Sequence, residues 1–150
     1  MDEFQVQLRV LHEMLSKKKA VLSQIEAITE NQENILLSRH AAEEEGAIFF
    51  IGLNGEKQKL IDLVLEADAL FQNLFDEIKD EFDRRASEFK DEIQSLKDGI
   101  KEIVGLDSKI RIREEKNKML LVKTRPKNKN SIRTANKAYV LKQYEKNKNF

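Results

Sequence analysis

Between residues 56 and 122 apolar side chains return at the spacing of an α-helix. Leu60, Leu63, Ala67, Leu70, Leu74 and Ile78 lead into Phe82, Phe89, Leu96, Ile103 and Ile110, which fall every seventh residue, with Ile93 and Ile100 beside that line. The stretch holds no Pro, and its only glycines are Gly99 and Gly105. The pattern predicts one amphipathic helix, or two in line, longer than an ordinary globular helix and suited to a coiled coil or long bundle. At about 1.5 Å per residue such a rod would span roughly 100 Å. Each glycine costs about 1 kcal/mol in a helix interior. Gly105, Leu106 and Asp107 offer a hinge, with Asp107 capping a separate helix over 108–122. A continuous helix and a break near 105 both fit the pattern.

Residues 2–45 predict an earlier long helix. Phe4, Leu8, Leu11, Leu15, Leu22, Ile25 and Leu36 keep three- and four-residue spacing, with polar gaps at Lys18, Thr29 and Gln32. Val21, Ile28 and Ile35 widen the stripe, as expected where a helix packs on more than one neighbour. Residues 46–55 read as a break, because Gly46, Gly52 and the Asn54, Gly55 pair are turn formers. The run Ala47, Ile48, Phe49, Phe50, Ile51 inside it reads as an apolar cap over the end of a helical hairpin, or as a short strand. Beyond 123, Arg125 and Pro126 with the following Lys and Asn residues form a breaker-rich linker. Ser131 can then cap a short helix over 132–146, too short and polar to be stable alone.

The expected architecture is all-α: an elongated antiparallel helical hairpin or three-helix coiled-coil-like bundle over 1–125, with a basic C-terminal tail or short helix over 126–150. In a hairpin of unequal arms the first helix covers only part of the second, leaving an unfilled groove toward 105–122.

Composition agrees with this picture. Charged residues make up 36% of the 150 and aromatics 7%, with one Pro and no Trp, a profile of extended helical proteins. No Cys is present, so disulfide and thiolate chemistry are excluded. The acidic opening Met1, Asp2, Glu3 is unlike a secretory signal, and the longest apolar run falls far short of the ~20 residues that cross a bilayer. A cytoplasmic protein without a membrane partner is expected. Net charge is zero, but residues 1–115 carry 16 basic and 26 acidic side chains and residues 116–150 carry 11 and 1. That split predicts an acidic body and a basic tail with its own task.

Candidate chemistry is sparse. His12 and His40 stand about 42 Å apart along one predicted helix, and neither lies in a metal-binding spacing. Asp76, Asp80 and Asp83 share a face, but the Arg84 and Arg85 that follow mark a salt-bridged solvent surface, and a row of acids does not surround an ion. No nucleophile motif, phosphate loop or dinucleotide fingerprint is present. No enzyme activity, cofactor or metal is expected. The tail interleaves Lys127, Lys129, Arg133, Lys137, Lys142, Lys146 and Lys148 with Tyr139, Tyr144 and Phe150. Basic charge with aromatics can hold nucleic acid. Without a recognition motif, docking on acidic protein surface is the favoured reading.

Three segments together resemble a family. The opening Leu11, His12, Glu13, Met14, Leu15, Ser16, Lys17, Lys18, Lys19, Ala20, Val21, Leu22 is similar to the leucine-and-lysine first helix of bacterial flagellar export chaperones of the FlgN type, with the FliT type close behind. The stretch 112–121, with Asn117, Leu120 and Leu121, resembles that family's "NxxNxxLL"-like segment with the first Asn missing. The ending 132–139 resembles its short basic close with a late Tyr. The insert 46–55, with its Phe pair, departs from the family's polar turn. The resemblance implies a small cytosolic chaperone without ATPase activity that binds hook–filament junction proteins and delivers them to the flagellar type III export apparatus. By position it implies a client grip at Asn117, Leu120, Leu121, Ile132, Ala135, Tyr139 and Leu141. The alternatives are a self-associating coiled-coil scaffold, which would be a homodimer or larger, and a nucleic-acid-binding helical protein.

Overall fold

The computed structural model describes residues 2–38 and 43–123, together with Lys142. Among these the secondary structure is helical throughout: α1 (Glu3–Leu37), α2 (Glu44–Arg85) and α3 (Lys90–Lys123). The chain goes up, down and up. Arg85 meets Asp2 at 2.7 Å, Lys18 meets Asp68 at 2.5 Å and Lys57 meets Gln32 at 2.5 Å, so α2 runs antiparallel to α1. The Phe4 and Phe89 rings lie 5.4 Å apart and Asn117 reaches the Thr29 carbonyl at 3.0 Å, so α3 runs parallel to α1. This is an all-α three-helix bundle.

Helix α1 is its spine. Phe4, Leu8, Leu11, Leu15, Leu22, Ile25, Thr29, Gln32 and Leu36 are all buried, an alternation of three and four that keeps one seam facing its partners. The polar gaps seen in the sequence belong to that seam. Asp2 caps the helix in extended conformation, its carboxylate accepting from the Gln5 amide at 2.9 Å. At the far end Ser38 closes the last turn, with its amide (3.1 Å) and hydroxyl (2.7 Å) both donating to the Ile35 carbonyl. Both α2 and α3 pack along α1, and they approach each other less closely than either approaches α1.

Three expectations need correction, and one open alternative is decided. The first helix ends at Leu37 and not near 45. The break at 46–55 is helical, because α2 already begins at Glu44 and its glycines carry no positive φ. Phe50 and Asn54 are buried there on the inner face, continuous with Lys57, Ile61 and Val64. Phe50 does close the distal end of the bundle against Leu36 and Leu121, but as a residue of the helix. The 56–122 rod folds back at 86–89. Finally, α3 runs without a break through Gly99 and Gly105. A Cβ added at Gly99 would meet Leu15 Cδ1 at 3.4 Å, whereas nothing stands within 4 Å of one at Gly105.

The fold-back has a physical cause that spacing alone hides. A straight rod would leave most of its stripe in water, while a hairpin buries Ile78, Phe89, Ile93 and Leu96 in one core with α1. Each such side chain contributes about 1.5–3 kcal/mol on full burial. The turn is closed by the Glu88 and Phe89 amides donating to the Arg85 and Ala86 carbonyls at 3.0 and 3.4 Å. Arg85 lies over both the Phe4 and Phe89 rings, 5.2 and 5.1 Å from their centroids. It also pairs with Asp2 and with Glu88, at 2.7 and 3.0 Å. Glu81 pairs with Arg85 at 3.6 Å and Asp107 with Arg111 at 2.8 Å, each acid one turn before its base, and Arg84 bonds Glu81 as well.

Candidate functional site

Because α2 and α3 share α1 without closing on each other, a trough runs between them. At mid-bundle it deepens into a cavity of about 220 Å³. Its floor is Leu15 and Lys18 of α1, and its walls include Ala67 and Phe71 of α2 with Ile100 and Val104 of α3. Leu63 and Leu70 stand four residues before and three after Ala67, so they lie on the same side of α2. Leu63, Leu70, Ile100 and Val104 are 43–59% exposed. Phe49 lies two heptads before Leu63 and is exposed as well. The exposed Glu56 stands between them, so the uninterrupted apolar line on this side of α2 runs from Leu63 to Leu74, about 16 Å. Lys18 and Asp68 face each other across the seam beneath it, both partly solvated. Such a pair contributes about 0–1 kcal/mol. It also places two polar groups where large apolar ones would fill the gap.

Charge follows the two lips of the trough. Glu66 and Glu77 lie three and fourteen residues after Leu63 on the α2 side. Lys97 and Lys101 lie seven and three residues before Val104 on the α3 side. All four are exposed. The trough is therefore apolar within, with Glu66 and Glu77 on one lip facing the side of Lys97 and Lys101 on the other.

Nearer the distal end the seam turns polar. Thr29 and Gln32 of α1, Asn54 and Lys57 of α2, and Glu114 and Asn117 of α3 are buried. The Lys57 ammonium donates to Gln32 Oε1 at 2.5 Å and to Glu114 Oε1 at 2.7 Å. The Thr29 hydroxyl donates to the Ile25 carbonyl at 2.7 Å and lies 3.3 Å from the same Glu114 oxygen. Burial pushes the Lys57 ammonium below the usual lysine range, and the nearby Glu114 carboxylate opposes that shift without cancelling it. Gln32 Nε2 and Asn117 Oδ1 are buried without a hydrogen-bond partner among the described residues. This layer divides the core in two. Below it lies the main apolar cluster; above it lies a small one of Leu36, Phe50 and Leu121, with Ile51 and Leu120 at its edge.

The residues singled out for client binding fall partly here. Asn117 and Leu121 point into the bundle, and Leu120 is half-buried at the edge of the small cluster. In this conformation the inner faces of Asn117 and Leu121 are taken up by α1 and α2. Ile132, Ala135, Tyr139 and Leu141, and the tail 126–150 apart from Lys142, lie outside the described residues. His12 lines a shallow cleft between α1 and α3 with Arg9, Asp91 and Glu92, and His40 is outside the described residues. Among those residues no group of three or more His, Cys, Asp or Glu can hold a metal ion, and no helix is long and apolar enough to cross a membrane.

In the sequence the trough residues belong to the same apolar stripe as the core, and spacing alone does not set them apart. The signal that separates them is the width of the stripe: Leu63 and Leu70 lie to one side of the seam through Ile61, Val64 and Ile78. Comparison finds no matching family model, curated protein or solved structure.

Proposed function

We propose that this protein is a cytoplasmic helix-binding chaperone of the flagellar export type, holding a hook–filament junction protein in a form fit for type III secretion. The observation that carries the reading is the uncovered apolar trough between α2 and α3. Exposed apolar side chains in a continuous strip mark binding surfaces, and a trough between two helices accepts the apolar face of a third. The strip is long enough for roughly three turns of a client helix. The binding is not enzymatic: the client is covered and released unchanged.

The test is titration of the full chain with purified junction proteins, followed by calorimetry and light scattering. A 1:1 complex is expected. Leu70→Glu combined with Val104→Glu should weaken it by at least roughly tenfold, a change of about 1.4 kcal/mol, with helicity and melting temperature retained. Unaltered binding by that double variant removes the trough from the mechanism. Failure of every junction protein to bind removes the flagellar assignment.

The charged lips favour a second reading, a dimer through the same trough. A two-fold axis parallel to the bundle sets Glu66 and Glu77 on the α2 lip of one copy against Lys97 and Lys101 on the α3 lip of the other. In that case Glu66→Lys with Glu77→Lys, and separately Lys97→Glu with Lys101→Glu, should each give monomers. An equimolar mixture of the two variants should recover a dimer. A chain that is monomeric at high concentration before any substitution eliminates this alternative.

A further inference from the structure

The first three turns of α2 are helical against their own composition. Gly46, Gly52 and Gly55 fall within residues 44–55, yet no glycine has a positive φ. A Cβ at Gly52 or at Gly55 would meet nothing within 4 Å. Neither backbone conformation nor close packing calls for glycine at these two sites. What glycine does there is lower the stability of the helix, by about fivefold per residue relative to alanine in the local equilibrium. The apolar hold on the segment is correspondingly thin: Phe50 is its one fully buried apolar side chain, while Ile48 and Phe49 face solvent. Immediately below, Lys57 is fixed between Gln32 and Glu114, and the main core begins at Ile61.

We propose that residues 44–55 form an arm that unwinds and lifts in one step, with Gly52 and Gly55 at its base, while α2 from Lys57 onward stays packed. Lifting withdraws Phe50 from Leu36 and Leu121 and uncovers the slot between the distal ends of α1 and α3. Asn117, Leu120 and Leu121 border that slot. The arm is therefore the device that makes the 117–121 segment available to a client; this role rests on the chaperone reading above, but the motion itself does not. Segments with few buried contacts open at far lower free energy than the whole molecule.

Two measurements on the full chain test the motion without any client. In hydrogen exchange, amides of 44–55 should exchange at least roughly tenfold faster than those of 60–78. Gly52→Ala with Gly55→Ala should slow the arm by roughly 25-fold and leave 60–78 nearly unchanged. The chain has no cysteine, so Leu121→Cys supplies a single buried thiol. Its labelling should slow by the same factor when the two alanines are added, while labelling of an exposed Leu63→Cys control should not change. Equal exchange along the whole of α2, or labelling of the Leu121→Cys thiol that is indifferent to the alanines, overturns the proposal. If both hold and no junction protein binds, the arm stands and the chaperone reading falls.

Discussion

Lys57 Nζ lies 2.7 Å from Glu114 Oε1, and the two residues come from helices that pack less closely on each other than on α1. Lys57 is fully buried and Glu114 nearly so. This pair ties α2 directly to α3 above the turn that joins them. Removing one partner strands the other charge inside the bundle, which costs more than the pair itself contributes. Lys57→Met should therefore destabilise the fold by about 3–5 kcal/mol. Lys57→Met with Glu114→Met should recover most of the loss, because apolar pairs of similar volume often replace buried ion pairs at little cost. Urea unfolding of the three proteins measures both effects.

The same lysine makes stability depend on alkaline pH. Its value in the fold is depressed below the ordinary 10.5 by burial. Between the two values the unfolded chain binds the proton that the folded chain has released, so stability rises with pH across that window. Below the folded value the penalty for the buried charge is present in full. The stability of the native chain relative to the Lys57→Met, Glu114→Met variant should accordingly grow as pH is raised toward 10.5. A difference that is flat from neutral pH to that point would contradict it.

At the opposite end the slope has the same sign, but there it is the charged form that the fold favours. Hydrogen bonding from Arg85, then from the Gln5 amide, holds the Asp2 carboxyl below the usual carboxylate range. Its contribution is present above the unfolded value of 3.8 and is lost as pH falls through the depressed folded value. Asp2→Ala should lower the urea midpoint at neutral pH, and the difference from the native chain should close in strong acid.

The orientation of α3 is testable with two isoleucines. Ile110 is fully buried and Ile112 is 72% exposed. Ile110→Ala should cost about 2–5 kcal/mol, whereas Ile112→Ala should change stability by less than about 0.5 kcal/mol. A broken helix near 105, with its segments turned differently, would not reproduce this contrast.

The continuity of α3 makes a further prediction at Gly105. With open space around the added methyl group and ordinary helical backbone, Gly105→Ala should stabilise the protein by about 0.4–1 kcal/mol. Thermal or urea unfolding reads this directly; a loss of stability would indicate a conformation there that only glycine accepts.

Periodicity made the helices and their faces legible, since Phe4 to Leu36 and Phe89 to Ile110 are the observed seams. It could not locate the hairpin, because the seven-residue line passes from Phe82 to Phe89 through a turn without interruption. Both arms bury the same line of residues, and no Gly or Pro marks the bend. The glycines that were present misled in the other direction. Gly46, Gly52 and Gly55 have strong local turn preferences, but burial of Phe50 and the packing of α2 below them keep the segment helical. The polar layer was legible only from one side. Thr29 and Gln32 showed as gaps in α1, while nothing in the spacing of Lys57 and Glu114 marks them as buried before three helices meet around them. Leu63 and Leu70 looked like core because a stripe's apolar character does not say how much of its width a neighbour covers.

The position of α1 decides the order of assembly. An α1–α2 hairpin joins residues close in the chain, but α1 and α3 are parallel, so their contacts span some 85 residues, as between Phe4 and Phe89 or Thr29 and Glu114. Such contacts carry the larger loop-closure cost and form later. A nascent chain thus passes through a two-helix stage in which the α3-facing side of α1 stands open. The third helix arrives last, onto a surface already shaped by the other two. A chain cut after α2 should retain that hairpin as a partly ordered species, whereas α2 and α3 without α1 lose the helix that holds them side by side.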